Sequence, residues 1–194
     1  EPVEDIARIM EGYHGLLAAR VFDHSTVARM AAGVDIPVVN MLSDRSHPLQ
    51  ALADALTMRQ CLGDPAGLTV AYVGDYNNVA RSLAEIAALS AMHVRLACPH
   101  GFDAPEAVLE RIALLGAASV EQSTRPAEAG AGAHAVHTDT WVSMGQETEK
   151  EERRRQFEGF TVDRTLMALA DPAAVFMHCM PAYRGFEVSA DVFD

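Results

Sequence analysis

The sequence predicts an α/β protein made of two doubly wound parallel-sheet domains, the first of them incomplete in this chain. Three observations carry that reading. Short apolar runs alternate with segments of helical periodicity, as βαβ units require. Clear turn signals such as Gly63-Asp64-Pro65-Ala66-Gly67 punctuate them. Apolar residues make up 49% and charged residues 22% of the 194, an ordinary globular balance that speaks against disorder.

The elements follow in order. Pro2 to His14 carries Val3, Ile6, Ile9 and Met10 at helical spacing, with Pro2 tolerated in the first turn. Leu16 to Phe22 is a short apolar run, read as a buried strand. A helix over Ser25 to Ala32 and a strand over Pro37 to Leu42 come next, then a long helix over His47 to Leu62. After the Gly63–Gly67 turn the alternation strengthens: strand Leu68–Val73, helix Asn78–Met92, strand Val94–Cys98, helix Pro105–Leu115. Ser119–Gln122, Ala135–Thr138 and Val175–His178 complete the expected parallel strands, and the small-residue stretch Ala127–Ala135 reads as a connector. The domain boundary falls within or just after the His47–Leu62 helix, dividing the chain into residues 1–60 and 61–194. Two strands are too few for the first part to build its own core, and strands upstream of Glu1 would complete it.

Charge and cysteine content exclude several classes. With 15 Lys and Arg against 27 Asp and Glu, the net charge of −12 disfavours nucleic acid as a partner. The one basic run, Arg153-Arg154-Arg155, follows Glu151 and Glu152 and reads as a solvated helix face. No stretch is long and apolar enough to span a membrane, and no signal peptide is visible, so a cytoplasmic location is expected. Cys61, Cys98 and Cys179 are too few and scattered for a disulfide framework or a zinc site.

Ligands of open α/β sheets gather at the carboxyl ends of strands. Gly74-Asp75-Tyr76-Asn77-Asn78 follows one such end. Its helix N-terminus favours an anion, while Asp75 or Asn77 equally suits a helix cap. His137-Thr138-Asp139-Thr140-Trp141-Val142-Ser143-Met144-Gly145 follows another, where Asp139 suits an ammonium group or a local turn, with Trp141 as a buried anchor. In His178-Cys179-Met180-Pro181 the neighbours His178 and Cys179 should face opposite sides of a strand, which argues against a nucleophilic couple. His47 and Gln50, three apart, share the first turn of the long helix. Arg20 within an apolar strand reads as a buried cation that needs an anion.

Taken together, His47-Pro48-Leu49-Gln50, Gly74-Asp75-Tyr76-Asn77-Asn78, Asp139-Thr140-Trp141-Val142-Ser143-Met144-Gly145 and His178-Cys179-Met180-Pro181 resemble the ornithine carbamoyltransferases, over the whole chain. The Asp-x-x-x-Ser-Met-Gly loop is the specific part; aspartate carbamoyltransferases are similar around His-Pro-x-Gln but lack it. The resemblance implies catalytic roles for Arg20, His47 and Cys179, with Arg20, His47 and Gln50 on carbamoyl phosphate. It implies that Asn78, Asp139, Ser143 and Met144 hold the amino-acid end of L-ornithine, and that Cys179 and Met180 line the junction of the two substrates. It also implies a homotrimer and a reaction that requires no metal or redox cofactor. The family's Ser-x-Arg-Thr-Arg phosphate loop and C-terminal helix have no counterpart among these residues, so segments beyond Glu1 and Asp194 are expected. Met180 replaces the usual Leu, a nearly volume-conserving exchange. The alternatives are a relative using putrescine or acetylornithine, and a non-catalytic homologue that binds an amino acid.

Overall fold

A computed structural model describes residues 1–142, 148 and 150–194 of the chain. The first lobe carries α1 (Val3–Glu11), β1 (Leu17–Arg20), α2 (His24–Ala32) and β2 (Val38–Leu42). β1 and β2 pair in parallel, and Ala7, Leu17, Ala19, Val27 and Met30 form a small core between this sheet and α1 and α2. Helices cover that face only, so β1 alternates buried and exposed and Arg20 falls on the open side. The expectation of a buried Arg20 is therefore corrected: it is an exposed cation at the carboxyl end of β1.

The second lobe is a five-stranded, all-parallel sheet in the order β5-β4-β3-β6-β7. Its strands are β3 (Thr69–Val73), β4 (His93–Ala97), β5 (Ser119–Ser123), β6 (Ala135–Thr138) and β7 (Val175–His178), all within a residue or so of the sequence reading. β3 is buried on both sides: Val70 and Tyr72 join the core beneath α4 (Asn78–Leu89) and α5 (Glu106–Leu114), while Ala71 and Val73 face the opposite core. Helices on both faces explain why these strands read as continuous apolar runs. Between the lobes runs α3 (Pro48–Leu62), whose Met58 is packed in the second-lobe core.

Four short helices complete the described residues: α6 (Pro126–Gly130), α7 (Lys150–Gln156), α8 (Arg164–Met167) and α9 (Ala190–Phe193). α6 replaces the first part of the expected connector. Pro126 opens it with a preset φ. Gly130 lets it lie against α8, since a Cβ there would meet Leu166 Cδ1 at 2.8 Å. Among the described residues no helix is long and apolar enough to cross a membrane.

The strand order places the switch point between β3 and β6, from which the onward connections lead to opposite edges of the sheet. The β3–α4 turn and the segment after β6 meet there. Gly74, with φ of 144°, makes the sharp exit from β3 that few other residues adopt.

Candidate active site

A cleft of about 930 Å³ opens at these carboxyl ends and extends to the ends of β1 and β2. Arg20, His47, Gln50, Asn78, Asp139, Cys179 and Met180 all line it. Ser143 and Met144 lie outside the described residues. Although the chain is strongly acidic, the lining mixes Arg20, Arg45, Arg81, Lys150 and Arg154 with Asp44, Asp75, Asp139 and Glu187. That balance suits ligands bearing charges of both signs.

Two hydrogen bonds clamp the lobes at the cleft floor. Asn78 Nδ2 donates to the Ser43 carbonyl at 2.7 Å, and the His47 N–H donates to Ser82 Oγ at 2.9 Å. Asn78 thereby spends part of its amide on interlobe contact. His47 occupies the N-cap position of α3, yet its side chain makes no capping bond. Burial, and next the charge of Arg20, hold its pKa below the ordinary value near 6.5. The imidazole is consequently neutral at pH 7 and donates one N–H. The sign follows: the native state resists protonating His47, so the stability it contributes above pH 6.5 is lost as pH falls through its lower folded value.

Asp139 is 6% exposed and held from three sides. Asn77 Nδ2 donates to Oδ2 at 2.8 Å; the Thr140 N–H and Cys179 Sγ donate to Oδ1 at 2.8 and 3.1 Å. Asn77 rather than Asp75 caps α4, its Oδ1 accepting from the Val79 and Ala80 N–H groups at 2.9 and 3.0 Å. Cys179 lies just past the end of β7, where strand alternation no longer governs direction. Its hydrogen bond goes to Asp139, whereas His178 accepts from the Met180 N–H and stands 3.3 Å from Glu187 in a buried pair. Burial, with the Asp139 carboxylate second, pushes the Cys179 thiol far up, and burial pushes Cys98 up to about 12. Both are thiols at neutral pH, and only thiolates alkylate. Iodoacetamide at pH 8 should therefore modify a single cysteine, the exposed Cys61. Peptide mapping that finds Cys179 labelled as fast as Cys61 would contradict the protonated state.

Among the described residues, Asp139, His178 and Cys179 bring one ligand atom each within 4.8 Å of one another, a spacing open to a metal ion. Cys179 would first have to lose its proton.

The expected solvated face of α7 also needs correction. Arg153 is 5% exposed; its guanidinium pairs with Asp75, donates to the Trp141 carbonyl and lies over the rings of Phe102 and Phe157. Arg154 lies over Phe186 at the cleft rim and is exposed, as are Glu151, Glu152 and Arg155, so the solvated reading fails at Arg153 and holds for its neighbours. A run of charges shows no apolar face, so the folding of α7 onto an aromatic pocket was hidden. Trp141 is buried, as the anchor reading had it. The sequence offers no signal for Phe186 and Glu187 of the cleft wall, and Asp54 behind Gln50 is marked only by the four-residue spacing of the two.

The fold and cleft define a doubly wound α/β protein with a cleft of mixed charge at the switch point of its larger sheet. Residues 1–60 match the model for the aspartate/ornithine carbamoyltransferase carbamoyl-P binding domain, and residues 66–194 match that for the Asp/Orn binding domain. The chain belongs to the aspartate/ornithine carbamoyltransferase family. Over 191 residues it is 48% identical to an ornithine carbamoyltransferase of Thermus thermophilus, covering 98% of this chain and 62% of the relative. The solved ornithine carbamoyltransferase of Pyrococcus furiosus superposes with a TM-score of 0.93 at 43% identity, covering 100% of this chain and 63% of that one. A solved N-acetyl-L-ornithine transcarbamylase gives 0.86 at 29%, covering 99% and 65%. The chain thus spans less than two thirds of the length of these relatives.

Proposed function

We propose that the protein transfers the carbamoyl group of carbamoyl phosphate to the δ-amine of L-ornithine, giving citrulline and phosphate. The observation that carries this reading is the cleft itself, where Arg20, His47 and Gln50 of one lobe face Asn78, Asp139, Cys179 and Met180 of the other. Arg20 and neutral His47 supply donors for the carbonyl oxygen as it becomes an oxyanion, the largest single term in such reactions. The uncharged amine forms the new C–N bond, the C–O bond to phosphate breaks, and the amine proton is lost to solvent or to the Asp139–Cys179 pair. Asp139 and Asn78 offer an acceptor and a donor to the ammonium and carboxylate of the amino acid, and Ser143 and Met144 are proposed to complete that subsite. Holding both substrates in one cleft removes much of the entropic cost of their encounter. The division into a carbamoyl-phosphate domain (1–60) and an ornithine domain (61–194) belongs to the same reading.

A homotrimer in the cytoplasm, serving arginine biosynthesis, completes the proposal. Its support is the apolar row Leu49, Leu52 and Leu56 exposed along α3, which favours a protein partner over water. Citrulline release with ornithine, putrescine and N-acetylornithine as parallel acceptors tests the reaction. Turnover with ornithine well above the other two is the expected result. Silence with all three, or preference for either alternative amine, would overturn it.

A further inference from the structure

Gln50 lines the cleft from the first turn of α3, and one end of its amide is already engaged. Nε2 donates to Asp54 Oδ1 at 2.9 Å, one helical turn further on. An ionised carboxylate only accepts, so this contact decides which end of the amide is which. The carbonyl Oε1 is left as the acceptor for a ligand. The Asp54 side chain is itself only 6% exposed, and its second oxygen, Oδ2, stands 3.3 Å from His137 Nε2. His137 is fully buried on β6, two residues before Asp139, and its ring stacks on Tyr72 of β3 with centroids 5.8 Å apart. Neither ring nitrogen, nor Asp54 Oδ2, makes a well-angled hydrogen bond among the described residues, so the approach is a close packing contact between two buried polar groups. A line of contact therefore runs from the middle of the large sheet, through a buried carboxylate, to an amide in the cleft of the other lobe.

We propose that Asp54, braced by His137, is a positioning residue that holds Gln50 with its carbonyl oxygen toward the cleft. This corner of the site then takes an N–H donor, the amino group of carbamoyl phosphate, and disfavours an acceptor. The inference rests on the carbamoyl-transfer reading for the identity of that donor, but not for the orientation of Gln50. A buried carboxylate that merely tied α3 to β6 would affect both substrates alike. A positioning carboxylate acts through Gln50 and on one substrate only.

The test uses Asp54→Asn, an isosteric change that lets the amide of Gln50 rotate. The expected result is a rise of about 3- to 10-fold in KM for carbamoyl phosphate, the factor for one neutral hydrogen bond, with KM for ornithine unmoved. On a Gln50→Ala background the same change should add nothing. An unchanged KM in Asp54→Asn, an equal rise for both substrates, or the full factor reappearing on Gln50→Ala would each overturn the proposal. Should Asp54→Asn fail to fold, His137→Gln keeps the carboxylate and carries the test, with a smaller rise confined to carbamoyl phosphate. A ligand-free readout separates this idea from the assigned reaction. In 15N-labelled protein, the Gln50 side-chain NH2 hydrogens should be protected from exchange and lose that protection in Asp54→Asn. Protection without any response to carbamoyl phosphate would overturn the assigned donor while leaving the orientation standing. Unprotected Gln50 hydrogens in the wild type would overturn the orientation itself.

Discussion

Replacing Asp139 by Asn is expected to lower kcat/KM for ornithine by about 100- to 1000-fold, the range for deleting one preorganised charged partner of a reacting substrate. The change is isosteric, but its surroundings do not tolerate an amide. Asn77 presents its Nδ2 to Asp139 because its Oδ1 is committed to the Val79 and Ala80 N–H groups in the first turn of α4. Asn77 therefore cannot rotate without uncapping that helix, and a new amide at position 139 either opposes two NH2 groups or abandons Thr140 and Cys179. Asp139→Ala removes the conflict but leaves the Asn77 and Thr140 donors unpaired, at a cost of about 1–3 kcal/mol each. Both variants should lose ornithine binding while keeping carbamoyl phosphate binding near that of the wild type. Isothermal titration with each substrate separately, alongside the kinetics, checks this. Equal loss of both substrates would place the effect in the fold rather than at the amino-acid subsite.

The second large effect is on stability. Arg153→Met removes the cation from a largely buried pair and should destabilise the protein by about 3–5 kcal/mol, because Asp75 is left buried without a partner. For a chain of this length that corresponds to a fall in Tm of roughly 6–20 °C. Burial already raises the pKa of Asp75 even with Arg153 beside it. A carboxyl whose native pKa is raised favours the folded state below its unfolded pKa and loses that contribution as pH rises through the native value. The Arg153→Met variant should therefore be relatively more stable in mild acid than at pH 8. The double variant Asp75→Asn, Arg153→Met should recover much of the loss, since no charge remains to be desolvated. Thermal melts at two pH values read all three outcomes. A drop within about 1 kcal/mol, of the size typical of surface pairs, would mean that Arg153 is better solvated than its contacts indicate.

Several features were legible because they depend on neighbours close in sequence. Val70 to Val73 announce a strand buried on both faces with no reference to what covers them. The turn Gly74 to Asn77 announces a helix start, and Asn77 caps that helix as its position suggests. Arg20 shows the opposite case. An apolar run of the length of Leu16 to Phe22 reads as buried, but burial depends on whether helices lie on both faces of the sheet, and here one face is open. Arg153 errs in the other direction: a highly charged helix reads as solvated, yet Phe157 one turn on, together with Phe102 and Asp75 far away in the chain, forms a pocket for its guanidinium. Cys179 was placed by alternation that ends one residue too early, at His178.

The amino-acid order by itself determined the α/β class, the strands within a residue or so, and which polar residues stand at strand ends, because periodicity and turn chemistry act over a few residues. Tertiary structure alone decided the partnerships: Asp139 with Asn77 across 62 positions, Arg153 with Asp75 across 78, and Asp54 with His137. Those pairs exist because the strand order lays β6 beside β3 and brings α3 over the same sheet. A carboxylate removed from water needs a donor or cation near it, and which one arrives is a property of the packed sheet rather than of any local segment.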